Sequence, residues 1–143
     1  MTIKRGTSIL EVIIATTMIS MAVISALALT SKSQSQSSYA RHSAQASKYA
    51  SQVADWLRGE RTNYGFDTIS ASSGTYCLST LPDNFENLPP AGACAQNDKI
   101  DNIYYRKLTL DNSESGKVKA TIDVSWNDKI ERATSIELEL SKW

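Results

Sequence analysis

The stretch Lys4-Arg5-Gly6-Thr7-Ser8-Ile9-Leu10-Glu11 opens an apolar run that continues to Leu29. The run Ile9–Leu29 is 21 residues long, apolar or small almost throughout, and carries one charge, Glu11. About 20 apolar residues cross a bilayer as a helix. Lys4 and Arg5 precede the run and the next basic residue is Lys32. That asymmetry puts the N-terminus in the cytoplasm and the chain beyond Leu29 outside it.

Beyond Leu29 the helical signal persists. No proline or glycine occurs from Thr30 to Leu57. Tyr39, His42, Ala46, Tyr49, Val53 and Trp56 recur at spacings of three and four, which is one face of an amphipathic helix. The opposite face carries Ser, Gln, Lys and Arg. This stripe reads as a core-facing surface rather than a cofactor site. Gly59 and Asn63-Tyr64-Gly65 predict the helix end. A continuous helix from Ser8 to Arg58 would be roughly 75 Å long.

Phe66–Asn102 holds Pro82, Pro89, Pro90, Gly74, Gly92 and both cysteines, and reads as an irregular loop. Loops of this length are uncommon in compact domains unless tied down or functional. Outside the cytoplasm, Cys77 and Cys94 would form the tie as a disulfide; in a cytosolic chain they would be two unrelated thiols. The remainder, 103–141, reads as three antiparallel strands. Ile103–Leu110 is the least regular. Lys117–Trp126 alternates, with Val118, Ala120, Ile122, Val124 and Trp126 on one side. Glu131–Leu140 places Ile136, Leu138 and Leu140 inward and Glu137 and Glu139 outward. Period-two alternation means a sheet with one wet face. Asp111–Gly116 and Asn127-Asp128-Lys129 read as turns. The amphipathic half of the helix is the available cover for the sheet's apolar face, so the expected class is α+β.

Composition narrows the functions. The 15 basic and 15 acidic residues balance; removing Lys4 and Arg5 with the first six residues leaves 13 against 15, a net charge of −2. That is not the footprint of a nucleic-acid binder. Lys99, Arg106, Lys107, Lys117 and Lys119 suggest at most a modest basic patch on a solvated sheet face. The single histidine, His42, reads as a half-buried helix residue, and with two distant cysteines it does not make a zinc site. Asp111-Asn112-Ser113-Glu114-Ser115-Gly116 is a hairpin turn rather than a calcium loop, because its third and fifth residues are serine and the twelfth is Ile122. There is no nucleophile elbow and no phosphate loop. The expectation is a protein that is not an enzyme and takes no cofactor or metal.

Three readings compete for the N-terminal string. A secretory signal cut after Ala28 fits the basic start and Ala26-x-Ala28. A plain single-span anchor fits the length. Neither has a use for Glu11, whose charge is expensive inside an apolar span.

The string resembles the class III signal of type IV prepilins and type II secretion pseudopilins. In that family a short basic leader ends in glycine, and the fifth residue after the cut is glutamate. The resemblance implies a leader Met1–Gly6, cleavage between Gly6 and Thr7 by a prepilin peptidase, N-methylation of Thr7, and a subunit-register role for Glu11 against a neighbour's N-terminal ammonium. Thr7 stands where the family usually has an apolar first residue. Ala28 stands where many major pilins have proline. With the strand end Val124-Ser125-Trp126-Asn127-Asp128, this is similar to minor pilins of the pilus-modification class. The resemblance implies a pilin-like organisation: leader 1–6, membrane and filament-core helix 7–29, and globular domain 30–143, the last with helix 30–58, disulfide loop 66–102 and strands 103–141. It implies a structural subunit of a pilus-like filament, held in the inner membrane and then moved to an extracellular or periplasmic filament. The peptidase, other pilin subunits and membrane lipid would be its partners, with no nucleic acid expected. The alternatives are a membrane-anchored binding module that does not polymerise and a DNA-uptake or secretion pseudopilin.

Overall fold

The structure, a computed structural model, describes residues 9–128 and 130–142, apart from the side chain of Gln96. Gly6 and Thr7, where the cleavage and methylation expectations fall, lie outside the described residues, as does Lys129. The chain divides into a unit ending at Ala40 and a unit beginning at Arg41.

Helix α1 (Ile9–Ser70) supplies the described part of the first unit and opens the second. From Ile9 to Ser37 every side chain is exposed. The hydroxyls in this stretch are satisfied within the helix: Thr17 Oγ1 donates to the Ile14 carbonyl and Ser20 Oγ to the Thr16 carbonyl, both at 2.8 Å. Ser25 and Thr30 bond back one turn in the same way. Such back-bonding lets small polar residues sit among apolar ones without an outside partner. The helix is long and apolar enough to cross a membrane, by length and composition.

In the second unit the buried face of α1 is Ala46, Ala50, Val53, Ala54, Leu57 and Glu60. The expected stripe is therefore right in phase but shifted in centre. Tyr39 is 41% exposed, and Tyr49 and Trp56 flank the core half-buried. Three alanines belong to this face, while the sheet contributes larger buried side chains such as Leu108, Ile122 and Trp126. One helix boundary differs from the sequence reading. The helix does not end near Arg58: Gly59, on an exposed face, stays helical. Glycine there costs about 1 kcal/mol relative to alanine, and burial of Leu57 and Glu60 on either side offsets it. The break comes at Gly65, whose φ of 80° lies in the left-handed region that glycine adopts without a Cβ clash. One more helical turn then carries Ile69 into the core.

The segment expected to be a loop contains two strands. β1 (Gly74–Cys77) and β2 (Lys99–Ile100) both pair with the same edge of β3 (Tyr104–Asp111). β4 (Lys117–Asp128) and β5 (Ile130–Ser141) complete an antiparallel sheet of order β1-β3-β4-β5, with β2 also on β3. The expected three strands are thus five. Short periods hide β1 and β2, since four and two residues are too few to show alternation. Asn127 and Asp128, expected in a turn, belong to β4, and Asp128 faces Ile130 in register.

The inward rows run straight across the sheet: Tyr76 opposite Leu108, Leu108 opposite Ile122, Ile122 opposite Ile136. Val118, Ala120, Ile122, Val124, Trp126 and Leu140 are buried as the alternation requires, while Ile136 and Leu138 are half-buried. Helix and sheet residues form one core cluster. Each fully buried Leu, Ile or Val stabilises by about 1.5–3 kcal/mol.

Candidate functional site

Glu11 lies in the first described turn of α1 among exposed apolar side chains, with Ile9 81% and Ile14 46% exposed. No described residue forms an ion pair or hydrogen bond with it. Helical spacing puts Ile14 and Ala15 beside it, neither of which can neutralise a carboxylate. The described part of the chain therefore offers an apolar helical surface with one unpartnered charge near its start.

The second unit carries the disulfide-bearing loop, tied down at three places. Cys77, at the end of β1, is bonded to Cys94, with Cα atoms 5.4 Å apart. The Gly92 N–H donates to the Thr75 carbonyl at 2.9 Å and holds the same limb against β1. From the helix, Glu60 Oε2 accepts from the Phe85 N–H at 2.6 Å. Phe85 stacks on Trp56 at 6.1 Å between ring centres. From the sheet, Arg106 Nε donates to the Leu78 carbonyl at 3.0 Å, while the Leu78 N–H donates to the Arg106 carbonyl at 2.8 Å.

Beside this loop is an aromatic and polar chain. His42 Nδ1 and the Tyr104 hydroxyl share a 2.6 Å hydrogen bond, and the His42 ring stacks on Trp126. Tyr49 packs edge-on against Tyr104 and donates its hydroxyl to Asp101 Oδ2 at 2.6 Å. That hydrogen bond is the main reason the Tyr49 phenol titrates above its ordinary range. Burial does the same for Tyr104. Asp101 and Asn102 hold left-handed backbone angles, φ 51° and 57°, in the turn into β3. Asx residues tolerate this conformation best after glycine.

The suggested basic patch does not assemble. Arg106 points inward and is 4% exposed. Lys117 pairs with Glu139 at 2.9 Å, Lys119 with Glu137 at 3.0 Å and Lys107 with Asp123 at 3.5 Å. Lys99 lies over the Tyr105 ring. The solvated sheet face is therefore a lattice of alternating charges. Each such surface pair contributes little, about 0–1 kcal/mol.

The sequence reading did not single out Glu60 and put Arg106 on the solvated sheet face, yet both are buried. Both carried a signal. Glu60 follows Val53 and Leu57 at helical spacing, and Arg106 is in phase with Tyr104, Leu108 and Leu110. Charge argued against the inside, and periodicity was the better guide.

Among the described residues no cluster of three or more His, Cys, Asp or Glu side chains can hold a metal ion. Comparison with protein-family models, curated proteins and solved structures finds no match to this chain.

Proposed function

We propose that this chain is a structural subunit of a type IV pilus-like filament, a minor pilin or pseudopilin, made as a precursor and cut after Gly6 by a prepilin peptidase. The observation that carries the reading is Glu11. It has no partner among the described residues and stands at the start of an exposed apolar helix, five residues into the chain that cleavage would create. A carboxylate inside an apolar bundle is strongly destabilising unless paired. Cleavage supplies a partner by making Thr7 an ammonium. On this reading the ammonium of one subunit meets Glu11 of the next and sets their axial register, as a single buried polar residue does in coiled coils.

Before assembly the apolar helix would rest in the inner membrane with Lys4 and Arg5 on the cytoplasmic side. The disulfide supports an oxidising location for the second unit. There the pinned loop and the charged sheet face would decorate the filament.

N-terminal sequencing and intact mass of the protein from membranes test this. The expected product begins at Thr7 and carries a methylated amine. A chain beginning at Leu29 would identify a secreted domain, and an intact Met1 a plain anchor; either would overturn the proposal.

A further inference from the structure

Arg106 floors an open cleft of about 520 Å³ between α1 and the segment after β1. Gln52 and Tyr49 line it from the helix, Ser79, Thr80 and Leu81 from the loop, and Ile100 from β2. We propose that this cleft binds a carboxylate carried on an apolar body.

The guanidinium sets the chemistry. Arg106 is 4% exposed, yet none of the ion pairs within 4.0 Å among the described residues involves it. Its Nε–H is used by the Leu78 carbonyl, and Nη1 reaches Gln52 Oε1 only at 3.5 Å. Nη2 has no acceptor among the described residues. One face of the fork lies over the Tyr49 ring at 5.9 Å. Neutral acceptors offset only part of the desolvation cost of a buried cation that has no counter-ion. Burial accordingly lowers the Arg106 pKa. A ligand carboxylate arriving from the cleft would meet the two Nη edges, the geometry in which arginine binds carboxylates in a bidentate way.

The walls select the rest of the ligand. Leu81, Ile100 and the Tyr49 ring favour an apolar body beside the charge. The Ser79 and Thr80 hydroxyls are available as polar contacts. Asp55, paired with Arg58 at 2.8 Å, stands on the rim. One cation opposite a rim carboxylate suits a monoanion and disfavours phosphate. The chemistry of the cleft does not depend on the filament proposal.

The test uses the full chain in detergent micelles, observed by NMR. The probe is N-acetyl-L-leucine, compared with its neutral amide and with inorganic phosphate. Saturable shifts are expected at the Arg106 Nε–H and the Gln52 side-chain amide. Affinity for the carboxylate should exceed that for the amide and for phosphate by about ten-fold or more. Ser79→Ala and Thr80→Val remove hydroxyls from the cleft wall and should leave the melting temperature nearly unchanged while weakening binding about three-fold or more. Equal response to the amide or to phosphate, no saturable shift, or unchanged binding in both variants would overturn the proposal and leave Arg106 as a clamp on the Leu78 backbone.

Discussion

Glu60 Oε2 accepts a hydrogen bond from the backbone N–H of Phe85 at 2.6 Å, joining the helix to the middle of the loop across 25 residues of sequence. The carboxylate is buried, 6% exposed, and it sits at the start of a single 3-10 turn, Phe85–Asn87. Glu60→Leu would leave that N–H without an acceptor. The expected loss is about 1–3 kcal/mol. Glu60→Gln keeps an acceptor oxygen and should lose less. Urea unfolding of the three proteins checks the order; equal stability would mean the contact contributes nothing net.

The Cys77–Cys94 bond closes a loop with a sequence separation of 17. In the chain-entropy model a loop of that size stabilises by about 3 kcal/mol. Reduction, or Cys77→Ser with Cys94→Ser, should lower the melting temperature and free the 78–94 limb for proteolysis ahead of the strands. Limited proteolysis with and without reductant measures this. An unchanged cleavage pattern would show that Glu60 and Arg106 hold the limb without the bond.

Ala50 has no exposed surface and lies at the centre of the helix–sheet contact. Ala50→Leu would add volume to a packed core and should cost about 1–3 kcal/mol. Trp126→Ala removes the largest buried side chain and should cost about 3–5 kcal/mol. Thermal unfolding monitored by circular dichroism gives both values.

Tyr49 titrates above its ordinary value, chiefly because its hydroxyl donates to Asp101, with burial and then the Asp101 charge acting in the same direction. A folded-state pKa raised above the unfolded one contributes stability below about pH 10, the unfolded value for tyrosine. That contribution is lost as pH rises through the folded-state pKa. Tyr104 acts in the same direction through burial. Asp101→Asn should move the Tyr49 transition down, read as tyrosinate absorbance, and soften the alkaline loss of stability. A transition that stays in place would show that Asp101 does not govern it.

Glu11→Ala removes the one charge in the apolar run. On the filament proposal, cleavage after Gly6 should proceed nearly as in the wild type while incorporation into filaments falls. Glu11→Asp, one methylene shorter, should retain part of it. Immunoblotting of sheared filaments against whole membranes separates the two steps. Full incorporation of the alanine variant would remove the register role from Glu11.

The layout could be read from the chain wherever a pattern ran long enough. Ile9–Leu29 announced an apolar helix by composition alone. Val118 to Trp126 and Ile136 to Leu140 announced the inner rows of two strands, because side chains alternate with a period of two whatever the neighbours are. The cysteine pair allowed a disulfide, conditional on the expectation that the chain beyond Leu29 lies outside the cytoplasm. Contacts distant in sequence decided the rest. Gly59 stays helical because Leu57 and Glu60 are buried against another layer, which overrides a local preference of about 1 kcal/mol. β1 and β2 exist because β3 offers them an unpaired edge; on their own, four and two residues carry no strand signal. Glu60 and Arg106 go inside because a backbone N–H of the loop and a backbone carbonyl beside β1 meet them there. A charge is read as exposed from sequence alone, and only the arrival of a partner from elsewhere in the chain makes its burial tolerable.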